Sequence, residues 1–210
     1  MIGIYGGTFD PVHYGHLRTA VEVKELFDLQ ELRLLPSFKP PHRVSPGAPP
    51  EMRLRMLQLA IKNQSGLQVD TRDLEREGPS YMVDTLHSLR AEADNNPLLL
   101  FVGADAFAEI TSWHRWQSLF DYAHLVVMNR PESQSLILPE FLEQRMVNSR
   151  DELKKHAVGK LYFQNVTQLD ISASKIRVIF AEKQNPAYLL PNDVINYIQQ
   201  HKLYQDIECK

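Results

Sequence analysis

Two histidines three residues apart, His13 and His16, close a loop reading Gly6-Gly7-Thr8-Phe9-Asp10-Pro11-Val12-His13-Tyr14-Gly15-His16. If a helix opens there, i,i+3 spacing puts both imidazoles on one face. Gly15 between them adds no side chain to shield that turn. Helix N-termini present free backbone N–H groups and the positive end of the dipole, so anions bind there. Two imidazoles beside such a terminus can donate hydrogen bonds to phosphate oxygens. Two other readings stay open on these residues alone. The glycines are a plain turn and the histidines incidental, or the pair shares a metal ion, for which Asp10 would have to fold back as a third ligand. The loop fits neither the dinucleotide fingerprint G-x-G-x-x-G nor a Walker A loop, since no G-K-[ST] follows.

A second cluster reads Ile171-Ser172-Ala173-Ser174-Lys175-Ile176-Arg177. Ser172 or Ser174 can cap a helix here, and Arg177 projects about one turn in. A capping serine with an arginine at a helix start suits a polyphosphate, though an ordinary capped surface helix has the same pattern. No Ser/His/Asp arrangement for nucleophilic catalysis stands out.

The elements that must carry these residues alternate. Short apolar runs at 2–5, 32–35, 67–69, 98–102, 125–128 and 161–163 read as strands. Helical periodicity fills 14–27, 51–63, 81–93, 139–156, 174–182 and 192–201, and 104–120 reads as helical pieces broken near Thr111-Ser112. Residues 37–50 form a loop with five of the thirteen prolines. This strand–helix alternation predicts an α/β fold, a mostly parallel sheet with helices on both faces. The chain reads as a single domain over 1–210, with residues from about 186, behind Asn185-Pro186, as a small helical C-terminal tail. Ligands in such sheets bind beyond the carboxyl ends of the strands, where strand order reverses. The loop after the first strand is therefore the first place to look for chemistry.

Composition narrows the partners. The 26 acidic against 23 basic residues leave a formal charge of −3, unlike proteins that hold nucleic acid by bulk charge. No apolar run approaches the roughly 20 residues of a membrane span, and the first residues lack the basic region of a signal peptide. The single cysteine, Cys209, permits neither an intramolecular disulfide nor a cysteine-based zinc site, and suits a reducing compartment.

Taken whole, the first loop resembles the H-x-G-H signature of the nucleotidylyltransferase superfamily, and residues 171–177 resemble its second, I-S-[SAT]-[ST]-x-[IL]-R. Further segments resemble the bacterial nicotinate mononucleotide adenylyltransferase family: Pro36-Ser37-Phe38-Lys39-Pro40-Pro41-His42-Arg43, Pro79-Ser80-Tyr81-Met82-Val83-Asp84-Thr85, Phe101-Val102-Gly103-Ala104-Asp105, Ser112-Trp113-His114-Arg115-Trp116, and the tail from Leu189-Leu190-Pro191 to Tyr204. The likeness spans nearly the whole chain. It departs at Met82, where that family often has threonine. Phosphopantetheine adenylyltransferases share both signatures but are shorter and lack the P-P-H and S-W segments; glycerol-phosphate cytidylyltransferases are smaller still. A non-catalytic nucleotide-binding regulator is the alternative from another class.

The resemblance implies a Rossmann-like, doubly wound sheet and a cytoplasmic enzyme of NAD biosynthesis, with no nucleic acid or membrane partner and a homo-oligomer left open. It implies adenylyl transfer from ATP, with Mg²⁺ as cofactor, to nicotinate mononucleotide, giving deamido-NAD and pyrophosphate. His13, His16 and Arg177 are the implied catalytic residues. ATP would meet Gly6, Gly7, Thr8, Phe9, His13, His16, Gly103, Asp105, Ile171, Ser172, Ser174, Lys175 and Arg177, with Gly103 and Asp105 on a ribose. The mononucleotide would meet Lys39, His42, Tyr81, Met82, Thr85, Trp113 and His114, with Arg43 a further attraction for its phosphate. Trp113 would stack on the pyridine ring, unless it packs into the core against Trp116. A site that prefers the acid to the amide should offer backbone donors near Met82 and His114 and no side-chain carboxylate, with Asp84 facing away.

Overall fold

Why the strands read as unbroken apolar runs is plain from what covers them. The computed structural model describes residues 1–37, 47–76, 78–129 and 138–205. Six strands, β1 (Ile2–Gly7), β2 (Glu31–Pro36), β3 (Leu67–Val69), β4 (Leu98–Gly103), β5 (His124–Asn129) and β6 (Leu161–Asn165), form one sheet of order β3-β2-β1-β4-β5-β6. Every pairing is parallel. Helices lie on both faces, so both sets of side chains are buried. Along β4, Leu99 and Phe101 enter one core cluster, while Leu98, Leu100 and Val102 enter the other.

The first face is covered by α1 (Tyr14–Leu26), α2 (Pro50–Ile61), α8 (Ala173–Ala181) and α9 (Asn192–Gln200). The second is covered by α4 (Met82–Glu92), α5 (Ala104–Ala108) and the 3₁₀ turns Ile110–Ser112 and Trp116–Asp121. A short α3 (Arg72–Glu75) follows β3. The tail behind Asn185-Pro186 packs inward: Val194, Ile198, Leu203 and Tyr204 join the same cluster as Phe27 and Leu57, with α9 against α2.

One predicted helix is corrected. Residues 139–156 form two single turns, α6 (Glu140–Glu143) and α7 (Asp151–Lys154). Between them the chain runs beside β6: Leu161 N–H donates to Arg145 O at 2.8 Å, and Val147 N–H to Leu161 O at 2.9 Å. The buried Leu142, Val147 and Leu153 are spaced by five and six, too far apart for one helical stripe. The segment uses its backbone to cover an otherwise open sheet edge.

Strand order reverses between β1 and β4, and a cavity of about 660 Å³ opens beyond their carboxyl ends.

Candidate active site

The wall of that cavity comes from strand ends and the loops after them. Gly6, Gly7 and Thr8 leave β1, Leu100 to Gly103 end β4, and Asp105 begins α5. Opposite stand Tyr81 and Met82 at the start of α4, with Trp113 and His114 between the two 3₁₀ turns. Gly6 faces Met82 across the cavity: a Cβ on it would lie 2.9 Å from Met82 Cε, the mobile end of that side chain. Left-handed Arg115 (φ 50°) reverses the chain just after Trp113-His114. The Tyr81 and His114 rings stack at 4.3 Å between centroids, tilted by 32°. Trp113 lines the cavity with one side and packs on the second core cluster with the other. Trp116 is taken up elsewhere, edge-on to Phe141 at 5.1 Å.

Beyond the Gly6–Phe9 turn, α1 begins at Tyr14, with His13 at its N-cap. The Tyr14 N–H, one of the donors a helix start leaves over, donates to Leu189 O at 2.9 Å. The His13 and His16 rings stack at 3.8 Å, and Phe9 meets His16 edge-on at 5.1 Å. Room for this stack is why residue 15 is glycine: a Cβ there would sit 2.9 Å from His13 Nδ1. His13 N–H donates to His16 Nδ1 at 3.4 Å, which leaves Nε2 as the protonated nitrogen of His16. Nδ1 of His13 is buried and has no hydrogen-bond partner among the described residues. Burial pushes His13 down to about 4 and, together with the neighbouring His13, holds His16 well below the usual imidazole range. Both rings are neutral at pH 7.

Helix α8 starts alongside. Ser172 is its N-cap and accepts Lys175 N–H at 3.2 Å. Ile171 O lies within contact distance of a Cβ at position 15, so the two helix starts adjoin. Arg177 donates to Asp10 O at 2.8 Å and to Ser174 Oγ at 3.4 Å. Lys175 stands 3.6 Å from Asp170, an exposed pair. Both predicted phosphate clusters therefore meet at the mouth of the first loop.

The sequence profile of the family described as cytidylyltransferase-like matches residues 4–179. A Methylococcus capsulatus protein named as a probable nicotinate-nucleotide adenylyltransferase is 50% identical over 208 residues, covering 97% of this chain and 99% of its own. The Pseudomonas aeruginosa protein of the same name is 44% identical over 208 residues, 97% of each chain. The chain belongs to the nicotinate-nucleotide adenylyltransferase family. Its fold is also that of the Plasmodium falciparum nicotinic acid mononucleotide adenylyltransferase complexed with NaAD, with a TM-score of 0.73 at 20% identity over 97% of this chain and 96% of that one.

Against the expectations for such an enzyme, several residues fall differently. Phe9 is 1% exposed and belongs to the core, its ring lying edge-on to His16, so its side chain does not line the cavity. Thr85 does not line the cavity: it is fully buried and donates its hydroxyl to Asp73 Oδ1 at 2.5 Å. The cavity wall carries the expected Asp105 and also Asp73 and Glu109, to which no role was assigned from sequence; Asp84 does not line it. Asp73 reaches the wall because α3 turns it inward, and Thr85 with Arg76, 3.9 Å away, compensates its burial. Asp10 does not fold back onto the histidines; its carboxylate accepts Gly47 N–H (2.7 Å), Ala48 N–H (3.1 Å) and the Tyr204 hydroxyl (2.7 Å). Lys39, His42 and Arg43 lie outside the described residues.

Other contributors had no role assigned from sequence. Ser37 lines the cavity. Arg53, fully buried on α2, donates to Thr8 O at 2.7 Å and Ala48 O at 3.2 Å, bracing the first loop from behind. Its signal is its place three residues before Met56, a cation on the buried face of a helix.

Proposed function

We propose that this family member joins ATP and nicotinate mononucleotide in the cavity at the switch point, as one domain and in the cytoplasm. The mononucleotide's phosphate oxygen attacks the α-phosphorus of ATP. A new P–O bond forms, the bond to the bridging oxygen before the β-phosphorus breaks, and deamido-NAD and pyrophosphate result. The observation that carries this is the stacked His13–His16 pair at the start of α1, at the end of the loop whose Gly6, Gly7 and Thr8 line the cavity and whose Asp10 carbonyl accepts from Arg177.

The attacking phosphate monoester is already ionised at pH 7, its second pKa being about 6, so no general base is required. The protein's task is in-line positioning and stabilising charge as pyrophosphate leaves. In this reading neutral His16 donates from Nε2 to a phosphate oxygen, with His13 beside it. Arg177 supplies positive charge, with Ser172, Ser174, Lys175 and the backbone at Ile171 holding the β and γ oxygens. Gly103 and Asp105 take the adenosine ribose, while Gly6, Gly7, Thr8 and the Phe9 backbone line its path. Tyr81, Met82, Trp113 and His114 hold the pyridine ring, with Trp113 as its stacking platform.

Among the described residues no group of three or more His, Cys, Asp or Glu converges as a metal cage. In this reading Mg²⁺ would arrive with ATP and, when bound, would offset phosphate charge.

A pyrophosphate-release assay with the nicotinate and nicotinamide mononucleotides tests the reading. In this reading the N-terminus of α4 and the backbone near His114 would offer donors to the ring substituent. An amide sets its own N–H₂ against them and leaves buried groups unpaired, so kcat/KM should favour the acid by on the order of 10² or more. Equal use of both would refute this picture of the pyridine site. No pyrophosphate with either would refute adenylyl transfer.

A further inference from the structure

Behind the phosphate cluster, three stretches of chain converge on one buried carboxylate. Asp10 is 4% exposed. Its Oδ1 accepts from Ala48 N–H at 3.1 Å and from the Tyr204 hydroxyl at 2.7 Å. Its Oδ2 accepts from Gly47 N–H at 2.7 Å and stands 3.6 Å from Arg177, whose guanidinium hydrogen-bonds instead to the Asp10 carbonyl. Gly47 is the spacer in this assembly: a Cβ there would lie 3.3 Å from the Tyr204 ring and 3.4 Å from the Arg177 stem. Tyr204 is 5% exposed, takes a left-handed backbone (φ 65°) and rests near Phe180 of α8.

We propose that Tyr204 is a positioning residue for the phosphate arm Arg177, acting through Asp10. A carboxylate beside a guanidinium tends to draw it into a close bidentate pair. Here that pairing is forestalled, because both carboxylate oxygens are already engaged by three neutral donors. The ion pair stays long, and Arg177 is steered by the Asp10 carbonyl and Ser174 Oγ, with its remaining N–H donors left over for phosphate. Without the phenolic hydroxyl, Oδ1 keeps only Ala48. The carboxylate is then free to turn toward Arg177 and hold it back from the substrate. Burial and the adjacent Asp10 push the Tyr204 hydroxyl far above its ordinary range, so it remains a donor at any working pH.

This rests on the adenylyl-transfer reading, and the test separates the two. Pyrophosphate release is measured for wild type, Tyr204→Phe, Arg177→Gln and the double variant, with thermal midpoints alongside. Loss of one hydrogen bond to a charged group should lower kcat of Tyr204→Phe about tenfold, with KM for the mononucleotide and the midpoint little changed. In the Arg177→Gln background the same substitution should change kcat less than twofold, because the arm it positions is gone. An unchanged kcat in Tyr204→Phe, or an equal loss in both backgrounds, overturns the proposal and reduces Tyr204 to core packing. Should Tyr204→Phe not fold, Asp10→Asn carries the test: with no carboxylate to hold Arg177 back, its kcat should stay within about threefold of wild type, and a loss of about tenfold or more would overturn the proposal. A wild type that releases no pyrophosphate would fail the functional reading instead.

Discussion

Acid should weaken this protein through His13, and the size of the effect follows from where the ring sits. His13 is 6% exposed, and burial lowers its pKa from 6.5 to about 4. The unfolded chain therefore binds more protons than the folded one between about pH 6.5 and pH 4. Stability contributed by the neutral ring is fully present above pH 6.5, is lost as pH falls through that window, and levels off below it. At pH 5 the ratio of the two binding terms is about 30, or about 2 kcal/mol lost relative to pH 8. His16 and His124, also lowered by burial, add losses of the same sign. The assay is urea unfolding at 25 °C followed by tryptophan fluorescence, at pH 8, 7, 6 and 5, for wild type and His13→Asn. The variant should lose about 2 kcal/mol less than wild type on going from pH 8 to pH 5. A flat difference between them, or a wild type that gains stability in acid, would mean that His13 is charged in the folded protein. A neutral donor pair at the start of α1 would then be the wrong description of the phosphate site.

Three other outcomes are expected. His16→Ala, which removes a donor aimed at the reacting phosphates, should lower kcat by about 10²–10³ while the protein stays folded by circular dichroism; a near-normal kcat would sink the assignment. Trp113→Ala should raise KM for the mononucleotide far more than KM for ATP, whereas equal effects with a large fall in thermal midpoint would make Trp113 a core residue. Arg53→Met strands the carbonyls of Thr8 and Ala48, so the urea midpoint should report a loss of about 2–4 kcal/mol; less than about 1 kcal/mol would show that the loop does not depend on this brace.

The six strands were legible because a doubly covered parallel sheet demands consecutive apolar residues, and Leu98 to Val102 or Leu125 to Met128 have no other use. The segment 139–156 misled because Leu142, Val147 and Leu153 lie among enough charges to suggest an amphipathic helix, while its pairing with β6 depends on a strand that comes later in the chain. The two phosphate clusters were readable because each is contiguous and opens a helix. Asp73, Arg53 and Tyr204 carry no local pattern. Each matters through a partner remote in sequence or across a loop, Arg53 with Thr8 and Tyr204 with Asp10 among them. Thr85 shows the converse: a residue inside a recognised segment whose hydroxyl a neighbour, Asp73, has already taken.

The span of chain between Asp10 and its partners also sets when the protein can begin to work. Arg177 lies 167 residues beyond Asp10 and Tyr204 lies 194 beyond it. During synthesis the first loop leaves the ribosome early, and β1 to β5 can assemble the cavity walls around it. Arg177, proposed to meet the triphosphate, and Tyr204, proposed to position it, are translated long after that loop. Long-range contacts of this kind close slowly. In the proposed reading, a nascent chain that has not yet reached α8 holds the cavity walls without the Arg177 arm, and full turnover awaits the docking of α8 and of the segment carrying Tyr204.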